Sequence, residues 1–332
     1  MRVTFFQRKP YESYFSIERL FDDIRSALPD DINFDVHICR YFSRGIIPRI
    51  LDSIYASRNQ GDINHITGDV HFLTYFMKRS RTILTLHDCV MLEKTHGLKY
   101  WLLWFFWYWL PIKRSGMVTV ISESTRKAVL RHMRNDHLKI AVIPNCVSPE
   151  FTPVPFEFND SCPRILQVGT NENKNLSRVV AALRGIPCNL AIIGHISPFQ
   201  LDLLRDNEIK YENYTNLTRT EIVEQYGKAD ILMFASLYEG FGLPILEAHA
   251  VGRPVITSTL FSMPDVAGDG ACYVDPYQIE DIRKAVLRII KGTKFREQLI
   301  DKGFQNIERF RPRSVAAQYS ELYRRMLEVS PL

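Results

Sequence analysis

Between Ala229 and Val255 the chain reads A-D-I-L-M-F-A-S-L-Y-E-G-F-G-L-P-I-L-E-A-H-A-V-G-R-P-V, and few folds accommodate that order. Ile231–Ala235 is a short, wholly apolar run, as expected of a strand buried on both faces of a parallel sheet. Tyr238–Leu243 is a loop punctuated by Gly240 and Gly242, which permit close approach to the backbone. Pro244 then opens a helix where a missing N–H costs nothing. Strand, glycine loop and helix start together aim free N–H groups and the positive end of a dipole at an anion. Glu239 and Glu247 bracket the loop with seven residues between them. One lies in the loop and the other about one turn into the helix, so both can face one cleft. The ligand this suggests carries phosphate at one end and hydroxyls around it. Two solvated surface acids are the competing explanation.

The rest of the chain repeats the strand-then-helix rhythm. Strands are predicted at Val3–Phe6, Phe34–Cys39, Ile63–Ile66, Thr82–Leu86 and Val118–Ile121, with helices at Ser16–Ala27, Ile47–Ala56, Val70–Met77 and Thr125–Met133. Pro149, Pro153, Pro155 and Pro163 mark a linker. Beyond it come strands Ile165–Gly169, Leu190–Ile193, Ile209–Glu212 and Val255–Thr257. Helices Leu176–Leu183, Pro198–Arg205 and Arg219–Tyr226 fall between them, and others near Ile279–Ile290, Lys294–Arg309 and Ser314–Leu327 follow. The fold class is α/β, with two doubly wound, Rossmann-like domains. At 332 residues two domains are also what surface-to-volume scaling favours. Their expected bounds are 1–150 and 151–312, with 313–332 a terminal helix.

A net charge of +5 suits anionic ligands or an anionic membrane surface and is too dispersed for nucleic acid. Six scattered cysteines without a C-x-x-C pair are expected to be reduced. The nine histidines show no metal-ligand spacing, and no D-x-D motif stands out. The charged start M-R-V-T-F-F-Q-R-K-P does not read as a signal peptide, and no apolar stretch reaches the ~18–20 residues of a membrane span. A cytoplasmic protein is the expectation.

Tyr100–Leu110, Y-W-L-L-W-F-F-W-Y-W-L, holds all four tryptophans, with Lys99 before it and Lys113 and Arg114 after it. An outer helix of a small α/β domain can hide only one face. Trp101, Trp104, Trp107 and Trp109 are therefore expected to contact a membrane surface at headgroup level. A partner-facing or core helix is the alternative.

Glu239-Gly240-Phe241-Gly242-Leu243-Pro244, with Glu247-Ala248 following, resembles the E-G-F-G-L-P-x-L-E-A signature of retaining nucleotide-sugar glycosyltransferases with the GT-B fold, in a family 4-like group. V-G-T-N-E-N-K-N-L at 168–176, V-I-P-N at 142–145 and G-R-P-V-I-T-S at 252–258 are similar to the same family. The resemblance is specific over residues 117–327 and weaker before them. It implies two domains facing each other across a cleft. The second would hold the donor, the first the acceptor, and the terminal helix would return to the first.

Residue by residue, the resemblance implies that Glu247 takes the ribose hydroxyls and that Glu239 lies by the donor sugar. The backbone of Gly240, Phe241, Gly242 and Leu243 would hold sugar and diphosphate. Lys174, with Gly169 and Thr170 beside it, would neutralise the diphosphate. His87 in T-L-H-D would contact the sugar, with Asp88 orienting it or capping the next turn. Relatives often carry arginine where Thr170 stands, so either Lys174 acts with helix dipoles alone or a second cation comes from Arg8, Lys9 or Arg253. They also often have a Gly-Gly turn after the first strand, where this chain has Q-R-K-P-Y-E-S-Y, making Arg8 and Lys9 candidates for an anionic acceptor or a phosphate.

The implied reaction moves a sugar from a nucleotide sugar to a hydroxyl of a glycan or lipid-linked oligosaccharide with retention, needing neither metal nor cofactor. GDP-mannose users look most similar, and bacterial surface polysaccharide assembly is the implied setting. A nucleotide-sugar epimerase and a non-catalytic nucleotide-sugar-binding or membrane-associated regulator are the rival readings. The oligomeric state is left open.

Overall fold

A computed structural model describes residues 1–10, 16–134 and 139–329. Residues 11–15, most of the glycine-free loop after the first strand, lie outside the described residues, as do the last three of the expected terminal helix. The chain divides into two compact units, residues 1–146 with 312–332, and residues 147–311.

The first unit holds a six-stranded parallel sheet in the order β2-β1-β3-β4-β5-β6. Its strands are β1 (Arg2–Gln7), β2 (Asn33–Ile38), β3 (Ile63–Ile66), β4 (Thr82–Leu86), β5 (Met117–Val120) and β6 (Ile140–Val142). Successive side chains of β1 enter opposite faces. Phe5 joins a core with Phe21, Ile63, Ile83, Tyr319 and Tyr323, while Phe6 joins one with Ile66, Leu84, Leu86, Val118 and Tyr108. The helix Pro312–Val329 supplies Val315, Ala316, Tyr319 and Tyr323 to the first of these cores. Chain order reverses between β1 and β3, the switch point at whose carboxyl edge ligands collect in open α/β sheets.

The second unit's parallel sheet runs β12-β11-β10-β7-β8-β9. It is built from β7 (Arg164–Val168), β8 (Asn189–Ile193), β9 (Tyr211–Tyr214), β10 (Ile231–Phe234), β11 (Val255–Ser258) and β12 (Ala271–Val274). Counted from β7, this is the 3-2-1-4-5-6 order of dinucleotide-binding sheets, with its switch point between β7 and β10.

Some expected elements differ. The segment expected as helix Val70–Met77 is a 3-10 turn, His71–Phe76, with His71, Phe72, Leu73 and Thr74 all buried. The strand expected at Ile209–Glu212 lies two residues later, because Asn207–Ile209 still completes the preceding helix end: Ile209 N–H donates to Leu204 O at 3.0 Å. β6 and β12 had no counterpart in the pattern. All six cysteines are free thiols, and burial pushes Cys89 up to about 12 and Cys188 to about 11.

Three histidines are built into the cores as neutral rings. His65 stands between Tyr323 Oη at 2.8 Å and Thr85 Oγ1 at 2.7 Å, His71 is 2.7 Å from the Trp107 carbonyl, and His249 is 3.0 Å from that of Gly270. Burial depresses them from 6.5 to about 3, 4 and 4 respectively. Each ring binds its proton more readily in the unfolded chain. Their contribution to stability is therefore complete above about pH 6.5 and lost as the pH falls toward 4, at up to about 1.4 kcal/mol per pH unit per ring. Glu247 and Asp52, raised by desolvation, push the other way. Urea midpoints are expected to fall between pH 7.5 and pH 5. A midpoint unchanged or higher at pH 5 contradicts this balance.

Candidate active site

At the switch point of the second sheet, the loops leaving β7 and β10 are tied together. Gly169, at φ +89°, turns the chain out of β7. A Cβ there would stand 2.9 Å from Lys174 Cε, so glycine both permits the backbone and clears the lysine's path. Asn173 donates through Nδ2 to Tyr238 O at 3.0 Å, and its carbonyl accepts from Leu237 N–H at 2.7 Å. Asn175, in the left-handed region at φ +59°, donates to Ala235 O at 3.0 Å and to Pro276 O at 2.7 Å. Within this frame Lys174 Nζ pairs with Glu239 Oε1 at 2.7 Å, the two side chains 17% and 14% exposed. The ammonium also sits 4.7 Å from the Phe234 ring centroid.

The helix Leu243–Val251 begins at Gly242 in a left-handed conformation, and no side chain caps its start. Ser262 Oγ, 3.0 Å from Glu239 O and 2.7 Å from Phe241 O, holds the loop from behind. On this helix Glu247 keeps part of its surface accessible and accepts a short hydrogen bond from the fully buried Tyr226 hydroxyl. Desolvation raises the Glu247 carboxyl, opposed by Tyr226 and by the charges of Arg219 and Lys174. Burial and the adjacent carboxylate hold Tyr226 well above its usual value, so the proton between them belongs to the tyrosine. Lys174 thus acts on both acids, by contact on Glu239 and through its field on Glu247.

Thr170 spends its hydroxyl on His195 O at 2.5 Å, which fastens this loop to the one after β8. A cavity of about 590 Å³ opens on that side, lined by Thr170, Asn175, Arg178, His195 and Gln200; it does not reach Lys174, Glu239 or Glu247. Arg253 is no free cation for a ligand. Its guanidinium donates to the carbonyls of Ala229, Val154, Val251, Gly252 and Gly227, its plane lies 3.7 Å from the Phe156 ring centroid, and burial lowers it to about 10.

In the first unit, His87 follows β4 and points Nε2 at Thr67 O, 2.7 Å away. A carbonyl only accepts, so Nε2 is the donor in this bond. Asp88 accepts from Val90 N–H at 3.0 Å, so of the two roles considered for it the structure displays the capping one. Arg8 is held by two acids, at 2.7 Å from Glu18 Oε1 and in a short pair with Asp69. Lys9 lies 4.7 Å from the Phe42 ring centroid, its Nζ 3.5 Å from Arg40 O.

With this geometry in place, two family models match adjoining parts of the chain. "Glycosyl transferases group 1" covers residues 150–306 and "Glycosyltransferase Family 4" residues 27–151. The solved structure of Anabaena HepE in complex with UDP and glucose is similar over 98% of this chain and 100% of that one, with a TM-score of 0.77 at 13% identity. The matches support a glycosyltransferase of the GT-B fold. Among curated relatives, the O-antigen chain mannosyltransferase B of Escherichia coli is 31% identical over 120 residues, 36% of this chain and 31% of that protein. O-antigen chain mannosyltransferase RfbU of Salmonella typhimurium is 28% identical over 190 residues, 54% of this chain and 52% of that one. The chain spans about a third to a half of the length of these curated relatives, which are named as O-antigen chain mannosyltransferases.

The tryptophan segment is a helix from Gly97 to Arg114 with a π-helical turn at Trp104–Trp109. It does not present four tryptophans outward. Trp104 donates to His132 O at 3.0 Å, Trp107 packs on Phe72, and Trp109 stacks on Phe105, all three partly buried against the core. The exposed face is Leu98, Trp101, Leu102, Phe105 and Phe106. A wide turn that adds a residue rotates the faces before and after it relative to each other, so spacing alone could not assign them. Among the described residues no helix is long and apolar enough to cross a membrane.

Sequence reasoning missed Tyr226, Asn173, Asn175 and Ser262. The asparagines stand inside the N-E-N-K-N run that flanks Lys174, where a polar side chain between two switch-point loops was the available signal. Tyr226 had none, because its partner lies 21 positions away.

Proposed function

We propose that this glycosyltransferase binds a nucleoside-diphosphate sugar at the β7/β10 switch point and transfers the sugar to a hydroxyl with retention of anomeric configuration. The observation that carries the reading is the Lys174–Glu239 pair, set over Gly169 beside an uncapped helix start, with Glu247 on the same helix. A donor diphosphate would compete with Glu239 for the ammonium and accept from N–H groups of the Gly240–Leu243 loop. Glu247, accepting from the Tyr226 hydroxyl on one oxygen, retains the other as acceptor for ribose hydroxyls. In the transfer the sugar–phosphate bond breaks as the acceptor oxygen bonds the anomeric carbon on the same face. The acceptor proton passes to the departing phosphate oxygen, and Lys174 and the helix dipole stabilise the diphosphate without a metal. His87 is assigned to the sugar by family resemblance.

The acceptor in this reading is a glycan or lipid-linked oligosaccharide in surface polysaccharide assembly. The names of two relatives, both O-antigen mannosyltransferases, favour GDP-mannose. The test offers GDP-mannose and UDP-glucose with lipid-linked acceptors and reads the anomeric configuration of the product. A product with retained configuration is expected. An inverted product overturns retention, donor isomerised without acceptor indicates an epimerase, and binding without turnover indicates a non-catalytic protein.

The enzyme is proposed to work at the inner membrane face through Leu98, Trp101, Leu102, Phe105 and Phe106. Trp101→Ser with Phe105→Ser is expected to reduce liposome flotation several-fold, and unchanged flotation ends that idea.

A further inference from the structure

The first unit contains a groove of about 1090 Å³ that the donor chemistry does not use. It runs between the helix Ile46–Arg58 and the tryptophan helix, with the turn His71–Phe76 along it. Its apolar lining includes Ile46, Ile50, Phe76, Met91, Leu102 and Phe106, each between 44% and 73% exposed. So many large apolar side chains left in water along one concavity mark a binding surface rather than a random scatter.

The polar lining is predominantly cationic. Arg8 and Asp69, which line one part of the groove, follow β1 and β3 and therefore stand at the carboxyl edge of the first sheet's switch point. Arg8 already has Glu18 and Asp69. Lys9, Arg49 and Arg114 pair with no carboxylate among the described residues. Arg49 donates to Ser43 O at 2.8 Å and lies 4.8 Å from the Trp107 ring centroid, and Arg114 donates to Met77 O at 3.3 Å. Arg49 Nε and Arg114 Nε are buried with no hydrogen-bond partner among the described residues.

We infer that this groove seats the hydrocarbon chain of an amphiphilic acceptor, a long-chain isoprenyl or alkyl phosphate, with its anionic group on Lys9, Arg49 and Arg114. A neutral apolar occupant would bury three cations without a counter-charge, which is costly. A peptide strand would bring backbone N–H and C=O groups to walls that offer few partners. A flat bilayer surface does not enter a concavity. A single chain with an anionic head meets both the apolar walls and the cations. The inference rests on the lipid-linked acceptor proposed above and makes the first unit a receptor for the lipid part as well as the sugar.

All four tryptophans lie between Trp101 and Trp109, so selectively excited tryptophan fluorescence reports this helix alone, and Trp107 lines the groove. Farnesyl phosphate, farnesol, inorganic pyrophosphate and phosphatidylglycerol vesicles would each be titrated into the full chain without donor. Farnesyl phosphate is expected to give a saturable one-to-one change, with farnesol at least tenfold weaker and pyrophosphate silent. Phe106→Asp, or Ile50→Asp on the opposite wall, should weaken farnesyl phosphate at least tenfold, and Arg49→Gln should reduce it toward farnesol; circular dichroism confirms folding. Equal binding of farnesol and farnesyl phosphate, a response to pyrophosphate alone, or a response confined to vesicles overturns the inference. Because no donor is present, failure here leaves sugar transfer to a soluble glycan untouched, and failure of transfer leaves groove binding standing.

Discussion

Lys174→Ala is expected to lower kcat/KM for sugar transfer by about 10²–10³-fold, the usual cost of removing one fixed donor aimed at developing charge. Lys174 is mostly shielded from water, so its charge is less screened than that of a surface lysine. Asn173, Asn175 and Gly169 fix the backbone on either side of it, so little reorganisation accompanies loss of the diphosphate. Thr170 cannot substitute, because its proton is committed to His195 O, and Arg253 is engaged with carbonyls. The loss should fall on kcat and kcat/KM together, since the interaction strengthens as the leaving group gains charge. Steady-state kinetics check it. A variant within threefold of wild type would show that another group carries the leaving-group charge.

Glu247→Ala is expected to weaken nucleoside-diphosphate binding by about 10²-fold, the order of magnitude for losing charge-assisted hydrogen bonds to hydroxyls and leaving them unpaired. Deleting the carboxylate also strands the buried Tyr226 hydroxyl, at about 1–3 kcal/mol of stability. Tyr226→Phe separates the two effects. It keeps the carboxylate but removes the donor that orients it, so a smaller loss of affinity is expected than for Glu247→Ala. Calorimetric titration of both variants decides this. Equal affinity in wild type and a folded Glu247→Ala protein would remove Glu247 from the site.

Much of this architecture was legible because its signals are local. Ile231–Ala235 is an apolar run and Thr82–Leu86 a largely apolar one, both buried along their length, and the linker prolines 149–163 fall just past the division of the two units at residues 146 and 147. β6 and β12 escaped because I-A-V and A-C-Y-V are too short for a period to develop, and they stand at sheet edges. The candidate site divides the same way. The glycine loop, Lys174 and the two glutamates could be named from spacing and family resemblance. That Arg8 is held between two acids, that Asp88 caps a turn and that Arg253 staples carbonyls depends on contacts distant in sequence. The tryptophan helix is apolar all round in sequence, so which of its tryptophans pack inward depends on contacts with Phe72 and the His132 carbonyl, distant in sequence.

The central claim is that the second unit recognises a nucleoside diphosphate through Lys174 and Glu247. Thermal unfolding with GDP, UDP, ADP and the matching monophosphates tests it most directly, because a ligand that binds only the folded state raises Tm, and at equal concentration the tighter ligand raises it more. The expected result is a clear rise with one diphosphate, a smaller one with its monophosphate, and loss of the difference in Lys174→Ala and of most of the rise in Glu247→Ala. No rise with any nucleotide at millimolar concentration, or a rise that both variants leave intact, would contradict it.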